Sequence, residues 1–128
     1  CYFAIDLNKR KKDIRKFIIT LENSIIDTFK EFQIISHSDR KNIGIWINHN
    51  NENKKIAAIG IKVRKWIAYH GFSININNNP DDFNKIIPCG IKNKKILTLN
   101  EISKIGYSKF INRLKKNLVR NLSVLNYS

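Results

Sequence analysis

The chain has 128 residues, 42% of them hydrophobic, enough to bury the core of one domain and too many for a disordered tail. Its 24 Lys and Arg outnumber its 10 Asp and Glu, for a formal charge of +14. No stretch approaches the roughly 18 consecutive apolar residues of a membrane span, and the opening CYFAIDLNKRKK places its charges after its apolar run, the reverse of a secretory signal.

In chain order, Cys1–Leu7 reads as a strand. Asp13–Phe32 reads as an amphipathic helix, with Ile14, Phe17, Ile18, Leu21, Ile25, Phe29 and Phe32 at the three-or-four spacing of one buried face. Ile43–Ile47 is a second strand, followed by a polar run with a hairpin turn expected at Asn50-Asn51. Lys55–Val63 is the next strand, in which Ile59, Ile61 and Val63 alternate with Gly60, Lys62 and Arg64. His70-Gly71 is a turn or bulge candidate. In Phe72–Asn77, Phe72, Ile74 and Ile76 alternate with Ser73, Asn75 and Asn77. Pro80–Ile86 suits one short helical turn, with Asp81 and Asp82 near its positive end, and Ile87–Ile91 is a tight loop. Asn100 is the expected N-cap of a helix beginning at Glu101. The last helix spans about Tyr107 to Leu122, with a stripe of Phe110, Ile111, Leu114, Leu118 and Leu122. Without a Pro-, Gly- or Ser-rich linker or a repeat, 1–128 reads as a single α+β domain with a mainly antiparallel mixed sheet and packed helices. The chain has no methionine, even at position 1, and opens directly in a strand-like run, so a fragment is expected.

The basic runs Lys9–Lys12, Lys92–Lys95 and Lys115–Lys116 lie in different segments, with no aromatic platform between them. That pattern argues against nucleic-acid binding. Lys, Asn and Ile are also favoured together by AT-rich coding, and a basic surface equally suits an acidic protein partner. The two cysteines, Cys1 and Cys89, form no CxxC pair, so neither a disulfide framework nor a metal site is expected. A reducing, cytoplasmic setting fits best.

Three residues are candidates for chemistry. Cys89 sits in Pro88-Cys89-Gly90, where Pro88 restricts one backbone angle and Gly90 permits close approach by a substrate. A cysteine among apolar neighbours is more often inert and buried. Lys55 opens the strand KIAAIG, yet most lysines at strand starts are surface residues, as is expected of Lys54. His70 could pair with a cysteine as nucleophile and base, although a histidine at a bend more often bonds to backbone. His37 and His49 lie in polar segments and read as solvated.

Three blocks then stand in order: Lys55–Val63 (KIAAIGIKV), His70–Ile76 (HGFSINI) and Ile87–Ile91 (IPCGI). Together they resemble the octanoyltransferase family of lipoate synthesis, which shows a KIAAIG-like strand, an HGFALNV-like strand and a PCGI loop at similar spacing. Tyr2–Leu7, Gly44–Ile47 and Leu97–Leu99 resemble further stretches of that family, so the likeness covers nearly the whole chain.

The resemblance implies the fold of the biotin and lipoate protein ligase catalytic domains. It implies transfer of octanoate from octanoyl-acyl carrier protein to a lysine of a lipoyl domain, as in 2-oxoacid dehydrogenase subunits or the glycine-cleavage H protein. Cys89 would carry the acyl group as a thioester, with Lys55 tuning it. The backbones of Ala58, Ile59 and Gly60 and of Gly71, Phe72 and Ser73 would line the acyl site. Ile59 and Phe72 also suit a purely structural core role. A free thiol titrates near about 8.5, and a lowering to about 7 is worth roughly 2 kcal/mol and makes about half the thiols nucleophilic at neutral pH. No cofactor, metal or ATP is implied, because a thioester arrives already activated. No membrane or nucleic-acid partner is implied, and a monomer is expected.

A glycine-rich stretch that the family carries before its first matching strand is absent from the chain, so 1–128 reads as a partial catalytic domain without that segment. Three alternatives stand beside this reading: an inactive truncated remnant of the fold, a basic nucleic-acid-binding module, and an ATP-dependent ligase of the same fold. The last needs no cysteine in a PCG loop.

Overall fold

The computed structural model describes residues 1–79 and 96–125. The expected loop at Ile87–Ile91, the helical turn at Pro80–Ile86 and Cys89 itself therefore lie outside the described residues.

Five antiparallel strands form one sheet in the order β1-β5-β4-β3-β2. They are β1 (Tyr2–Asp6), β2 (His37–Ser38), β3 (Ile45–His49), β4 (Glu52–Arg64) and β5 (Ile67–Ile74). A 3-10 turn, Leu7–Lys9, follows β1, and helix α1 (Ile14–Glu31) separates β1 from β2. After the sheet come a short helix, α2 (Leu99–Ile102), and a long one, α3 (Tyr107–Ser123). The architecture is α+β, as the sequence pattern indicates. The only parallel element among the described residues is an isolated bridge between Lys55 and Ile96.

Helix α1 begins where Asp13 accepts a hydrogen bond from the Lys16 amide at 2.9 Å. Phe17, Leu21, Ile25 and Phe29 form its fully buried stripe. Ile14 was expected on that stripe but is 38% exposed, because it occupies the first turn before the helix reaches the sheet. Phe110 and Leu114 of α3 meet Ile25 and Phe29 of α1 over Ile45, Ile47, Ala57 and Phe72 of the sheet, so both helices cover one face. A second cluster joins Leu7, Phe17, Leu21, Ala68 and Leu125. Burial of these side chains, each worth about 1.5–3 kcal/mol, supplies the main folding force.

Both hairpin turns take the left-handed conformations that match sheet twist. Asn50 and Asn51 have φ of 53° and 60°, where the sequence places the first turn. The second turn is Lys65-Trp66, with φ of 49° and 64°, and not His70-Gly71. His70 and Gly71 lie inside β5, paired in unbroken register with Ile61 and Gly60. No glycine or asparagine marks the true turn. It is held instead by the Leu7 amide donating to the Trp66 carbonyl at 2.7 Å and by Asn8 Nδ2 donating to the Lys65 carbonyl at 3.1 Å.

The short helix also starts two residues earlier than expected. Thr98, not Asn100, is its N-cap, and the Glu101 carboxylate accepts from both the Thr98 amide (2.6 Å) and hydroxyl (2.9 Å).

Candidate functional site

Lys55 owes its orientation to a β-bulge. Ile45 pairs with Ala57 but Trp46 pairs with Lys55, so Ile56 is the extra residue of β4. Ile56 and Ala57 are both fully buried in the core below. Downstream, Ala58 and Gly60 are exposed on the sheet face away from the helices. Strict alternation would put Lys55 with Ala57 on the core side. The bulge turns it beside Trp46, onto the face that carries Ala58 and Gly60.

There the Lys55 Nζ donates to the Ile43 carbonyl at 3.0 Å and lies 4.9 Å from the centre of the Trp46 ring. A carbonyl oxygen and an aromatic face are both partners for a cation. The loop that provides them is itself braced. Trp46 Nε1 donates to the Asn42 carbonyl at 2.8 Å. Asp39 accepts from the Lys41 amide at 2.8 Å and from Asn42 Nδ2 at 3.1 Å. The Asn42 amide, with help from the Lys41 backbone, holds the Asp39 carboxyl below its ordinary range. Gly44 completes the clamp: at φ 144°, a Cβ there would lie 2.6 Å from the Ala57 carbonyl oxygen and 3.0 Å from Lys55 Cε. The sequence pattern marks no chemical role for Gly44, Trp46 or Asp39, which act here by supporting Lys55.

The six residues expected at an acyl site form three adjacent cross-strand pairs: Ala58 with Ser73, Ile59 with Phe72, and Gly60 with Gly71. All six line one hollow of about 370 Å³ together with Cys1, Tyr2 and His70. That volume lies within the range of small-molecule clefts, about 300–1,000 Å³. Phe72 is nearly buried and Ile59 half-buried against the core, so these two meet the hollow mainly through backbone while supporting it from below. The two glycines differ. A Cβ on Gly71 would collide with the Cys1 carbonyl oxygen, so Gly71 admits β1, whereas a Cβ on Gly60 would meet nothing within 4 Å. The room above Gly60 is the hollow itself. Lys55 is not among the residues lining it and stands three residues along β4 from Ala58.

His70 breaks the alternation of β5. Its neighbours two residues away, Ala68 and Phe72, are buried, yet His70 is exposed. A φ of 70° rotates it out of the row, and its ring centre sits 4.9 Å from that of Tyr69. Of the other histidines, His37 is exposed and His49 half-buried. Lys54 lies 4.0 Å from Glu52. Among the described residues no group of three or more His, Cys, Asp or Glu is placed to hold a metal ion. No helix among them is long and apolar enough to cross a membrane.

The ends of the described chain on either side of Pro80–Lys95 are both tied beside Lys55. The Asn75 amide donates to the Ile56 carbonyl and the Leu97 amide to the Lys55 carbonyl, each at 2.9 Å. Leu99 and Asn100 amides donate to Asn75 and Ile76 carbonyls, also at 2.9 Å, which ties the segment after β5 to the start of α2.

Some known proteins resemble this chain in sequence and others in fold. The octanoyltransferase of Ehrlichia ruminantium (strain Gardel) is 44% identical over 117 residues, 90% of this chain and 56% of the relative. A bipartite lipoate protein ligase from the archaeon Thermoplasma acidophilum superposes with a TM-score of 0.74 at 11% identity, covering 95% of this chain and 49% of its own. The biotin protein ligase of Aquifex aeolicus superposes with a TM-score of 0.70 at 18% identity, covering 96% and 52%. At such identities the structural likenesses show the fold alone. The chain spans about half the length of the curated relatives it matches. Residues 1–119 match the lipoyl protein ligase A/B catalytic domain, and the chain belongs to that family.

Proposed function

We propose that this chain carries the acyl-transfer chemistry of an octanoyltransferase of lipoate synthesis, with Cys89 as nucleophile and Lys55 as its electrostatic partner. The observation that supports it most is the setting of Lys55: bulged onto the hollow's face, clamped by Ile43 and Trp46, and flanked by both ends of the connection that bears Cys89. Ile96, which is bridged to Lys55, lies seven positions after Cys89. Seven residues reach at most about 25 Å, so chain connectivity permits the two side chains to meet. The 44% identity to an octanoyltransferase supports the choice of acyl group.

In this reading the Cys89 thiolate attacks the carbonyl carbon of octanoyl-acyl carrier protein. The carrier thiolate leaves and the octanoyl group stays on Cys89. The ε-amine of a lysine on a lipoyl domain then attacks the new thioester. An amide forms, the amine loses a proton, and the Cys89 thiolate returns. The first step exchanges one thioester for another and the second is downhill, so the thioester alone provides the driving force. The Lys55 ammonium favours the thiolate, and a general base near the amine takes its proton. Small residues at 58, 60, 71 and 73 leave space for the alkyl chain. The partners in this reading are the acidic carrier and lipoyl domains, met in a reducing cytoplasm.

Incubation of full-length protein with octanoyl-acyl carrier protein, read by mass spectrometry, tests this. An octanoyl adduct forms on Cys89, is lost in Cys89→Ser and builds up at least tenfold more slowly in Lys55→Ala. Normal octanoyl transfer by Cys89→Ser would falsify the mechanism.

A further inference from the structure

We propose that His70, folded against Tyr69, is the end-stop that sets how long an acyl chain the hollow accepts. The inference rests on the acyl-site reading above and adds the residue that would determine its specificity.

The outward face of β4 and β5 is a short floor of small residues between larger ones. Its successive pairs are Ala58 with Ser73, Gly60 with Gly71, and then Lys62 with Tyr69. The first two pairs line the hollow and the third does not. Between the second and third stands His70, opposite Ile61. By alternation its side chain belongs on the core face. With its left-handed backbone, φ 70°, His70 is instead exposed, is one of the residues lining the hollow, and holds its ring 4.9 Å from that of Tyr69, an outward-facing residue. Such a conformation is costly for a residue with a side chain. Its effect here is to raise a wall where the small-residue floor ends.

The dimensions agree with an eight-carbon chain. Ala58 to Ile61, the level of His70, is three strand residues, about 10 Å. With C–C bonds of about 1.5 Å at near-tetrahedral angles, the seven bonds of an extended octanoyl chain advance about 9 Å. Two more carbons add about 2.5 Å and run into the imidazole. Gly60, beneath the middle of this path, has nothing within 4 Å of where its Cβ would stand.

His70→Gly removes the wall and suits the backbone, since glycine takes a positive φ freely. The test is calorimetric binding of octanoate, decanoate and dodecanoate to full-length wild type and His70→Gly, alongside His70→Asn, which also tolerates that backbone region. The wild type prefers octanoate. In His70→Gly the decanoate-to-octanoate affinity ratio rises roughly tenfold, the gain from housing two further methylenes, and His70→Asn shifts it part of the way. The same length profile in all three proteins, or no preference in the wild type, overturns the end-stop. Binding reports on the wall independently of Cys89: a shifted profile in a protein whose octanoyl transfer survives Cys89→Ser would retain the end-stop and reject the mechanism.

Discussion

At the scale of single residues, the site is a set of side chains whose neighbours leave them one position. Lys55 reaches the Ile43 carbonyl only because Gly44 has no side chain to occupy the path of its stem. Gly44→Ala therefore costs about 1–3 kcal/mol in unfolding experiments and, on the mechanism proposed above, slows acylation of Cys89, whereas an alanine at Gly60 meets open space. Gly60→Val should leave the melting temperature within about a degree or two and yet reduce octanoate affinity at least tenfold, since its methyls occupy the room above the floor. A matching loss of stability would show that the hollow is packing space. Asp39 links the clamp to pH. Its folded carboxyl titrates below the unfolded value, so its stabilising contribution is present above about pH 4 and is lost as pH falls through the folded value. The Trp46 indole N–H resonance, which reports its bond to the Asn42 carbonyl, should shift in that acid range and lose the shift in Asp39→Asn. The KIAAIG and HGF blocks drew attention to Lys55 and to six residues that the fold pairs across β4 and β5 beside one hollow. The clamp was not legible, because Ile43 and Asn42 act through backbone carbonyls that every residue has.

At the scale of elements, periodicity exposed β1, β3, β4 and the long helices, but it missed the two-residue β2 and put the last strand at Phe72–Asn77 where β5 runs Ile67–Ile74, because glycine misled the placement of one turn. His70-Gly71 looks like a turn because glycine permits positive φ, but here Gly71 exists to let Cys1 pass. The real turn, Lys65-Trp66, has tertiary bonds in place of local propensity. The contact of α1 with α3 was similarly hidden. Asn117 interrupts the apolar stripe of α3 and is 2% exposed, donating to Thr28 Oγ1 at 2.9 Å and Glu31 Oε1 at 3.1 Å. One turn on, Asn121 donates to Ser24 Oγ at 3.1 Å and Asp27 Oδ2 at 3.2 Å. These paired bonds set the register of the two helices. Asn117→Ala should destabilise by about 1–3 kcal/mol, because Thr28 and Glu31 lose their donor. Thr28→Val combined with Asn117→Leu should cost less than the sum of the single changes. Additive denaturation energies would mean that the polar pair is not coupled.

At the scale of the whole molecule, charge that is scattered in sequence is gathered by the fold. Lys9, Lys11 and Lys12 follow β1, and Lys62, Arg64 and Lys65 lie at the far end of β4, all six exposed. The Leu7–Trp66 and Asn8–Lys65 hydrogen bonds join these segments, and Lys12 Nζ sits 5.7 Å from the centre of the Trp66 ring. The result is one basic end, on the same sheet that floors the hollow. In the proposed acyl transfer, an acidic carrier would be drawn to such a patch over about a Debye length, roughly 10 Å at moderate salt. A small thioester feels little of this field. Transfer from octanoyl-acyl carrier protein should therefore weaken, about tenfold in kcat/KM, between roughly 50 and 500 mM salt, and should weaken similarly in a Lys62→Glu, Arg64→Glu double variant. Acylation by a small octanoyl thioester should be nearly unchanged by either. Equal salt dependence for both donors would remove steering from the mechanism, and tight DNA binding at physiological salt would reassign the patch to nucleic acid.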